Sequence, residues 1–406
     1  MSATDRGYAW AVAGGSLLLM VLASGGMYGI VVALKPVALD LAVPRWVPSA
    51  GYALLMLGIG LGGIVFGRWS DRADMFGPAL VGSLGLGLGA LAVWASSGPL
   101  TFVLAQALLL GFFGNGALFA PLVANITHWF ERRRGLAVAM VISGQSLGGA
   151  LWPPVFRYSI DETGWRETYL WYGLVVVAML PLCLLLRRRR PMQAAATEAA
   201  GAGSERPLEF PLNLLFGLLC LAIVACCVPM ALPMVHIVAH ASDLGHPTAR
   251  AAEMLAVLLA FGTASRLAFG LLADRIGAFK AMLVASGFQA LVLSFYLFVD
   301  GLAGLYLLSV LFGLSFGGIV PLYTLIIRDH FAAAESGWRI GVIMLFGTVG
   351  AGLGGWLGGF VFDVWASYQW AFALGVVFNI GHLVIIGMLL GRERRQGRGG
   401  IVAQAA

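Results

Sequence analysis

One arginine stands inside a long, mostly hydrophobic stretch of the chain. Arg266 lies within positions 250–272, and a charged side chain at the centre of a membrane helix costs at least about 2.5 kcal/mol. Arginine does not shed its proton to escape this cost. The deepest acidic residue nearby, Glu253, is thirteen residues away on the same predicted helix, about 20 Å along its axis. The guanidinium therefore needs an anion from elsewhere, water or carbonyl oxygens.

Two glycines flank this arginine at helical spacing. Gly262 and Gly270 each lie one turn from Arg266 on the same helix face, which leaves open volume beside the guanidinium. This pattern predicts a site for a carboxylate that accepts two hydrogen bonds from Arg266. The alternative is a structural arginine whose long side chain extends to the membrane surface.

Three other residues near apolar stretches can change or carry charge. His236 and His240 share one hydrophobic stretch, and Lys35 ends the first one. Histidine titrates near neutral pH, so we consider His236 a candidate for coupling to protons. Lys35 is a second candidate, because a lysine can lose its proton when its surroundings disfavour the charge. Interfacial placement explains both histidines equally simply, and His240 lies nearer the predicted loop.

Neutral side chains in other apolar stretches are candidates for lining a cavity around Arg266. They offer hydrogen bonds or an aromatic wall, although polar residues in membrane helices also join helix to helix. They are Tyr28, Asn115, Phe119, Gln145 and Tyr323.

The sequence lacks the patterns of several functional classes. No acid, base, nucleophile or metal-binding set converges in the apolar stretches, and no nucleotide-binding loop occurs. The four cysteines have no paired spacing: Cys183, Cys220, Cys226 and Cys227. We therefore expect no enzyme activity, no metal and no cofactor.

The composition indicates that most of the chain lies in a lipid bilayer. Of 406 residues, 60% are hydrophobic and only 11% are charged, against about 25% charged in a soluble domain. Because a membrane helix needs roughly 20 apolar residues, the sequence predicts an all-α membrane protein with twelve transmembrane helices. The predicted spans are 8–34, 47–69, 78–96, 100–126, 136–157, 168–186, 211–239, 250–272, 279–299, 302–327, 339–361 and 370–390.

A polar segment divides the twelve spans equally. Four arginines at 187–190 precede a stretch rich in Ala, Gly, Ser and Glu that cannot form a core. The sequence therefore predicts an N-terminal six-helix bundle over 1–186, a linker over 187–210, a C-terminal six-helix bundle over 211–391 and a tail over 392–406.

Basic residues cluster in every second break between spans. The other breaks hold only Lys35, Arg45, Arg157, Arg166 and Arg250. Because positive loops stay in the cytoplasm, we expect both termini there, in an inner or plasma membrane. Basic residues placed in loops also argue against nucleic-acid binding.

Three landmarks recur at nearly one offset and indicate a duplicated chain. The segment 67–72 (GRWSDR) corresponds to 270–275 (GLLADR), with Asp71 and Asp274 separated by 203 residues. Phe130 corresponds to Phe331, and Asp161 corresponds to Asp363, at offsets of 201 and 202. Duplicated halves with a site between them are typical of membrane carriers.

The duplicated Gly-x-x-x-Asp-Arg segment resembles the signature of the major facilitator superfamily. Within it, the entry to the first span (DRGYAW, 5–10) and the loop 128–137 (HWFERRRGLA) resemble the monocarboxylate transporter and oxalate/formate antiporter branch, as do LKP at 34–36 and Asp363 with Ser367 and Tyr368. The resemblance covers nearly the whole chain and implies a monomeric carrier with two pseudo-symmetric bundles.

The resemblance also implies roles for particular residues. Asp71, Arg72, Asp274 and Arg275 become gating residues whose charges pair in one transport state and separate in another. Arg266 matches the helix 8 arginine that binds the substrate carboxylate in this branch. Some relatives place an aspartate one turn before this arginine, but the present chain has Gly262, which puts proton coupling in doubt.

The leading expectation is a secondary carrier of small organic anions such as lactate or pyruvate, working by alternating access. Antiporter relatives carry a lysine in helix 11, and this chain has none after Arg339, which favours a monoanion. Within transport, the alternative is an exporter or antiporter of another small amphiphilic compound, with Arg266 in a gating role. A non-transporting membrane sensor is the alternative from another class. The substrate, the direction and the participation of protons stay open.

Overall fold

The fold consists of long helices that cross the molecule from end to end. The computed structural model describes residues 7–72, 74–130, 133–187 and 211–404. Within these ranges no residue is in a strand, and twelve helices are long and apolar enough to span a bilayer. The predicted twelve-helix membrane fold is thereby confirmed. Helices satisfy their own backbone hydrogen bonds, as a chain surrounded by lipid requires.

The first six helices are α1 (Gly7–Asp40), α2 (Trp46–Arg72), α3 (Phe76–Trp94), α4 (Pro99–Ile126), α5 (Arg134–Thr163) and α6 (Trp165–Ala178, continued by a 3₁₀ turn over Leu180–Leu186). The second six are α7 (Leu212–Asp243), α8 (Thr248–Ile276), α9 (Ala278–Phe295), α10 (Leu302–His330), α11 (Ala333–Trp365) and α12 (Gln369–Gln404).

Helix α12 is longer than the sequence analysis expected. Its backbone continues beyond residue 390 to Gln404, where a tail was predicted, because no proline interrupts this segment. The predicted linker falls almost entirely on residues 188–210, outside the described residues, so the domain boundaries stay predictions.

Helices α4 and α10 are irregular at corresponding depths. In α4 the segment Ala105–Asn115 has π-helical hydrogen bonding. Helix α10 is interrupted between Phe316 and Ile319, at Gly317 and Gly318. The end of the π segment and the interruption are about 202 residues apart, the offset of the sequence repeat. Such irregularities commonly lie at functional sites and points of bending.

The two halves meet along α2 with α11 and along α5 with α8. We call the side where α1 begins and α12 ends the basic side, and the opposite side the far side. From the far side inward, a Cβ on Gly359, Gly355 or Gly352 would touch Ser49, Tyr52 or Ala53 of α2. The glycine-rich face of α11 therefore lets α2 approach closely.

The contact between α2 and α11 ends before the basic side. Its last close approach joins Gly60 to Thr348, and two turns nearer the basic side Gly67 and Gly341 face open space. Gly270, near the basic end of α8, also faces open space. The halves are therefore packed together on the far side and diverge towards the basic side.

Candidate functional site

The Arg266 side chain borders a cavity between the two halves. The cavity is narrow, with a volume of about 30 Å³, and residues from both halves line it. Helices α1 and α5 contribute Tyr28, Gln145 and Ser146, and helices α7, α8 and α10 contribute Met234, Leu259, Gly262, Arg266 and Phe316. The structure thus brings together three of the predicted lining residues: Arg266, Tyr28 and Gln145.

Among the described residues, no side chain forms a hydrogen bond or ion pair with the guanidinium of Arg266. Ten residues separate it from the basic end of α8 at Ile276, about 15 Å of helix. The predicted span 250–272 ends only six residues after Arg266, so the helix continues farther than the sequence analysis expects. The longer distance weakens the alternative that the Arg266 side chain simply extends to the membrane surface.

The lining of the cavity combines the charge of Arg266 with the apolar side chains of Met234, Leu259 and Phe316. The ring of Phe316 would be 2.9 Å from a Cβ added to Gly262, so this glycine leaves the space that the ring borders. The hydroxyl of Ser265 accepts a hydrogen bond of 3.2 Å from the N–H of Gly318. Ser265, the neighbour of Arg266 on α8, therefore holds α10 against α8 at the interruption.

The other predicted lining residues do not border this cavity. Asn115 is buried, and its amide donates to the carbonyl of Leu110 at 3.1 Å. Phe119 packs against the hydrophobic core. Tyr323 is fully buried, with its hydroxyl 2.9 Å from Nε2 of His382. Their roles in substrate binding stay predictions, and Tyr323 belongs to a different polar cluster.

The two histidines of α7 lie in the far-side contact. His236 is fully buried, with Nε2 2.7 Å from the carbonyl oxygen of Gly355. Because a carbonyl only accepts, Nε2 carries the proton and donates it. The ring of Tyr368 lies 5.0 Å from His236 and 5.9 Å from His240, centroid to centroid.

Ion pairs close the far side. Lys35 of α1 lies 2.7 Å from a carboxylate oxygen of Asp243 and donates to Ser242 at 2.9 Å. Arg45, in the loop before α2, forms two hydrogen bonds with the same aspartate. Between residues with described side chains, these are the ion pairs that join the halves. Burial disfavours the charge on Arg45, but the hydrogen bonds that Arg45 donates to Asp243 and Tyr368 raise its pKa above its ordinary value.

A second aspartate strengthens the same contact. Asp363 of α11 accepts hydrogen bonds from the backbone N–H groups of Arg45 at 3.0 Å and Trp46 at 2.6 Å. These groups lie at the start of α2, where helix amides lack partners within their own helix. A residue of one half thus caps a helix of the other.

The predicted gating residues lie on the basic side. Arg72, Asp274 and Arg275 are exposed at the ends of α2 and α8. The backbone of Asp71 ends α2, but its side chain lies outside the described ones. The gating role of all four residues stays a prediction.

Sequence reasoning missed Asp243, the partner of Lys35, and it missed His382. Asp243 lies 208 residues from Lys35, and their contact depends on how the halves pack. His382 had a visible signal: Asn379 and His382 of α12 are one turn apart, as are Ser286 and Gln289 of α9. Paired polar residues at one-turn spacing in two apolar spans indicate facing surfaces.

Comparison with known proteins agrees with this architecture. Residues 16–337 match the Major Facilitator Superfamily. The chain is 24% identical to monocarboxylate transporter 13 of Bos taurus over 92% of its length and 87% of that protein. It is 28% identical to the MFS-type transporter pynF of Aspergillus niger over 75% of its length and 69% of that protein.

Similar structures share the fold at low sequence identity. A bacterial homologue of the human lysosomal transporter Spinster has a TM-score of 0.71 and 14% identity, covering 97% of this chain and 98% of that one. The nucleoside transporter NupG has a TM-score of 0.73 and 12% identity, covering 92% and 98%. Because the family match at residues 16–337 covers most of the chain, the protein belongs to the Major Facilitator Superfamily and is a multi-pass membrane transporter.

Proposed function

We propose that this transporter is a secondary carrier of small organic monoanions, with lactate and pyruvate as representative substrates. The observation that carries the proposal is the guanidinium of Arg266 in a cavity between the halves, where no described side chain forms a hydrogen bond or ion pair with it. A carboxylate binds a guanidinium through two parallel hydrogen bonds. The single cation at the cavity favours a monoanion over a dicarboxylate.

The narrowness of the cavity favours a small substrate. Its volume of about 30 Å³ is far below the roughly 300–1,000 Å³ of pockets for drug-sized ligands, so the lining side chains must move apart to admit even a short acid. Leu259, Met234 and Phe316 can cover the short hydrocarbon part of such an acid. The monocarboxylate transporters of Bos taurus and Homo sapiens among its relatives also favour this substrate class.

In the proposed transport cycle, the halves close alternately on the far side and on the basic side. The far-side contact closes access from that side while the halves diverge towards the basic side. Rocking the halves would separate Lys35 from Asp243 and bring the basic ends together. In this proposal the four predicted gating residues hold the second closure, and the basic side faces the cytoplasm, as its clustered Lys and Arg favour.

A second candidate is efflux of a different small amphiphilic compound. The relatives include an agnestins efflux protein of Paecilomyces divaricatus, 24% identical over 77% of this chain, and the apolar wall at Phe316 would suit a less polar substrate. In that case Arg266 has a gating role.

The test is uptake of radiolabelled lactate and pyruvate into proteoliposomes, with and without an inward proton gradient. The native protein is compared with Arg266→Gln and with Arg250→Gln, a matched substitution at an exposed arginine sixteen residues away on the same helix. We expect saturable uptake by the native protein, little change in uptake with Arg250→Gln, and loss of uptake with Arg266→Gln. Absence of uptake and counterflow by the native protein, beside an active reconstituted control, would reject monocarboxylates and favour the efflux candidate.

A further inference from the structure

Four helices of the second half enclose a polar cluster away from the Arg266 cavity. His382 and Asn379 of α12, Ser286 and Gln289 of α9, and Tyr323 of α10 are all fully buried. His382 lies thirteen residues after the start of α12, about 20 Å along a helix. An ionisable group this deep in a membrane protein is by default a candidate for function.

The hydrogen bonds define which nitrogen of His382 carries the proton. The hydroxyl of Ser286 donates to the amide oxygen of Asn379 at 2.5 Å and lies 2.7 Å from Nδ1 of His382. A hydroxyl has one hydrogen, so Nδ1–H must donate to Ser286. The other nitrogen, Nε2, then accepts the hydrogen bond from Tyr323 at 2.9 Å. The neutral ring thus has both nitrogens paired, and Nε2 is the place where another proton can bind.

Unpaired amide groups lie beside this ring. Both polar atoms of the Gln289 side chain and the amide nitrogen of Asn379 are buried without a hydrogen-bond partner among the described residues. Gln289 and Asn379 each lie one turn towards the far side from the Ser286–His382 pair. Leaving such groups unpaired costs about 1–3 kcal/mol each, and buried water normally pairs with them. Water that paired with these amides would lie beside the ring and could deliver a proton to it.

Of the five side chains in the cluster, that of His382 has a ring nitrogen that can take up a proton and become cationic. From α7, the buried thiols of Cys220, Cys226 and Cys227 interact with Tyr323. On α10, His330 lies two turns nearer the basic side on the same face as Tyr323, with Nε2 buried and unpaired. No charged side chain of the described residues interacts with the ring of His382.

Helix α10 connects this cluster to the Arg266 cavity. Phe316 lines the cavity at the end of the first segment of α10. After the interruption, which Ser265 fixes against α8, the second segment Ile319–His330 carries Tyr323. The two segments are joined through Gly317 and Gly318, so a shift of the second segment changes the Tyr323–His382 hydrogen bond and also moves Phe316 in the wall of the cavity.

We propose that His382, with Tyr323 and Ser286, binds the proton that accompanies the substrate, and that the segment Ile319–His330 couples the two sites. A proton on Nε2 makes this nitrogen a donor. The hydroxyl of Tyr323 must then accept the hydrogen bond and direct its own hydrogen elsewhere, which changes the contact between α10 and α12.

The charges of the two sites are consistent with joint binding. The empty carrier has one positive charge at Arg266. A bound monoanion neutralises it and lowers the electrostatic cost of a second positive charge in the same low-dielectric bundle. With the anion and the proton bound, the net charge returns to that of the empty carrier. Only this coupling step rests on the proposed function; protonation of His382 does not.

The first test measures the proton directly. Protein with ¹⁵N-labelled histidine in lipid nanodiscs is titrated from pH 8 to about pH 5 by NMR, with and without lactate. The difference between the native protein and His382→Gln identifies the His382 signals, and His246→Gln, at an exposed histidine bonded to the carbonyl of Asp300, is the matched control. We expect Nε2 to change from acceptor to donor, with about tenfold lower proton affinity in Tyr323→Phe, because a charged donor loses more from the missing hydroxyl. A ring that stays neutral under both conditions overturns the proposal.

The second test separates coupling from transport. In proteoliposomes, lactate counterflow needs no net movement of protons, whereas accumulation driven by a proton gradient does. We expect His382→Gln to retain counterflow within about threefold and to lose accumulation, whereas Arg266→Gln loses both. Gradient-driven accumulation by His382→Gln equal to that of the native protein overturns the coupling. If the native protein carries no monocarboxylate, the proposed function fails, and the NMR titration still decides whether His382 is a proton site.

Discussion

Lys35 of α1 and Asp243 of α7 form an ion pair of 2.7 Å across the junction of the two halves. Because Arg45 binds the same carboxylate, a single anion holds two cations of the opposite half. Removing the carboxylate would break both pairs and leave two positive charges close together. Closure of the far side thus depends strongly on one residue.

We expect Asp243→Asn to weaken this closure. The side chains of Lys35 and Asp243 are 26% and 24% exposed, so the loss should fall between those of surface and buried ion pairs, at roughly 1–3 kcal/mol. A cysteine at Ser49, which is buried against α11, should then react about tenfold faster with an impermeant maleimide. Glu162→Gln removes the same charge at an exposed far-side position and should leave the rate unchanged. Equal rates in both variants would contradict the assigned role.

Asp363 should stabilise the folded protein by capping α2. Losing a carboxylate cap costs about 0.5–2 kcal/mol, so Asp363→Ala should lower the thermal unfolding midpoint. Asp363→Asn keeps an acceptor oxygen for the amides of Arg45 and Trp46 and should recover most of the loss. The measurement is tryptophan fluorescence during heating in detergent. A larger loss in the asparagine variant than in the alanine variant would exclude capping.

The two glycines beside Arg266 should respond differently to the same substitution. In Gly262→Ala the new methyl group would lie 2.9 Å from Phe316, whereas in Gly270→Ala it would meet open space. We expect the alanine at 262 to raise KM several-fold, with a larger effect for a longer acid than for pyruvate. The alanine at 270 should leave KM nearly unchanged. Uptake kinetics with acids of increasing length check this, and equal effects at both positions would place the substrate elsewhere.

Arg266→Lys separates carboxylate binding from a purely ionic gating role. Lysine keeps the charge but lacks the planar pair of donors that matches a carboxylate. If Arg266 binds substrate, KM should rise at least about tenfold in the lysine variant. The cysteine at position 49 should still react with the maleimide at the native rate. A native KM in the lysine variant would favour gating. The reporter at position 49 shows whether the halves still close.

The ring of His236 fills the space left by a glycine of α11. A Cβ on Gly358 would collide with this imidazole, so Gly358→Ala should destabilise the far-side contact by about 1–3 kcal/mol. Gly341 lies on the same helix and faces open space, so Gly341→Ala is the matched control. Thermal unfolding and the maleimide rate at position 49 should both change in the first variant only.

The sequence predicted the helices far better than the contacts between them. Twelve apolar stretches determine where helices form because lipid permits few other structures, and the isolated charge of Arg266 stood out for the same reason. Tyr323 was grouped with Arg266 because both are polar residues in membrane helices. Its actual partner, His382, lies on another helix 59 residues away. Side-chain direction depends on helix rotation and on the interruption of α10, neither of which apolar spacing specifies.

The paired irregularities of α4 and α10 bear on the energetics of the transport cycle. Each half has a weak point in one helix, separated by about the repeat offset, so each half can bend in a comparable way as the other side closes. Opening to either face would then strain similar backbone, in α4 of one half and in α10 of the other.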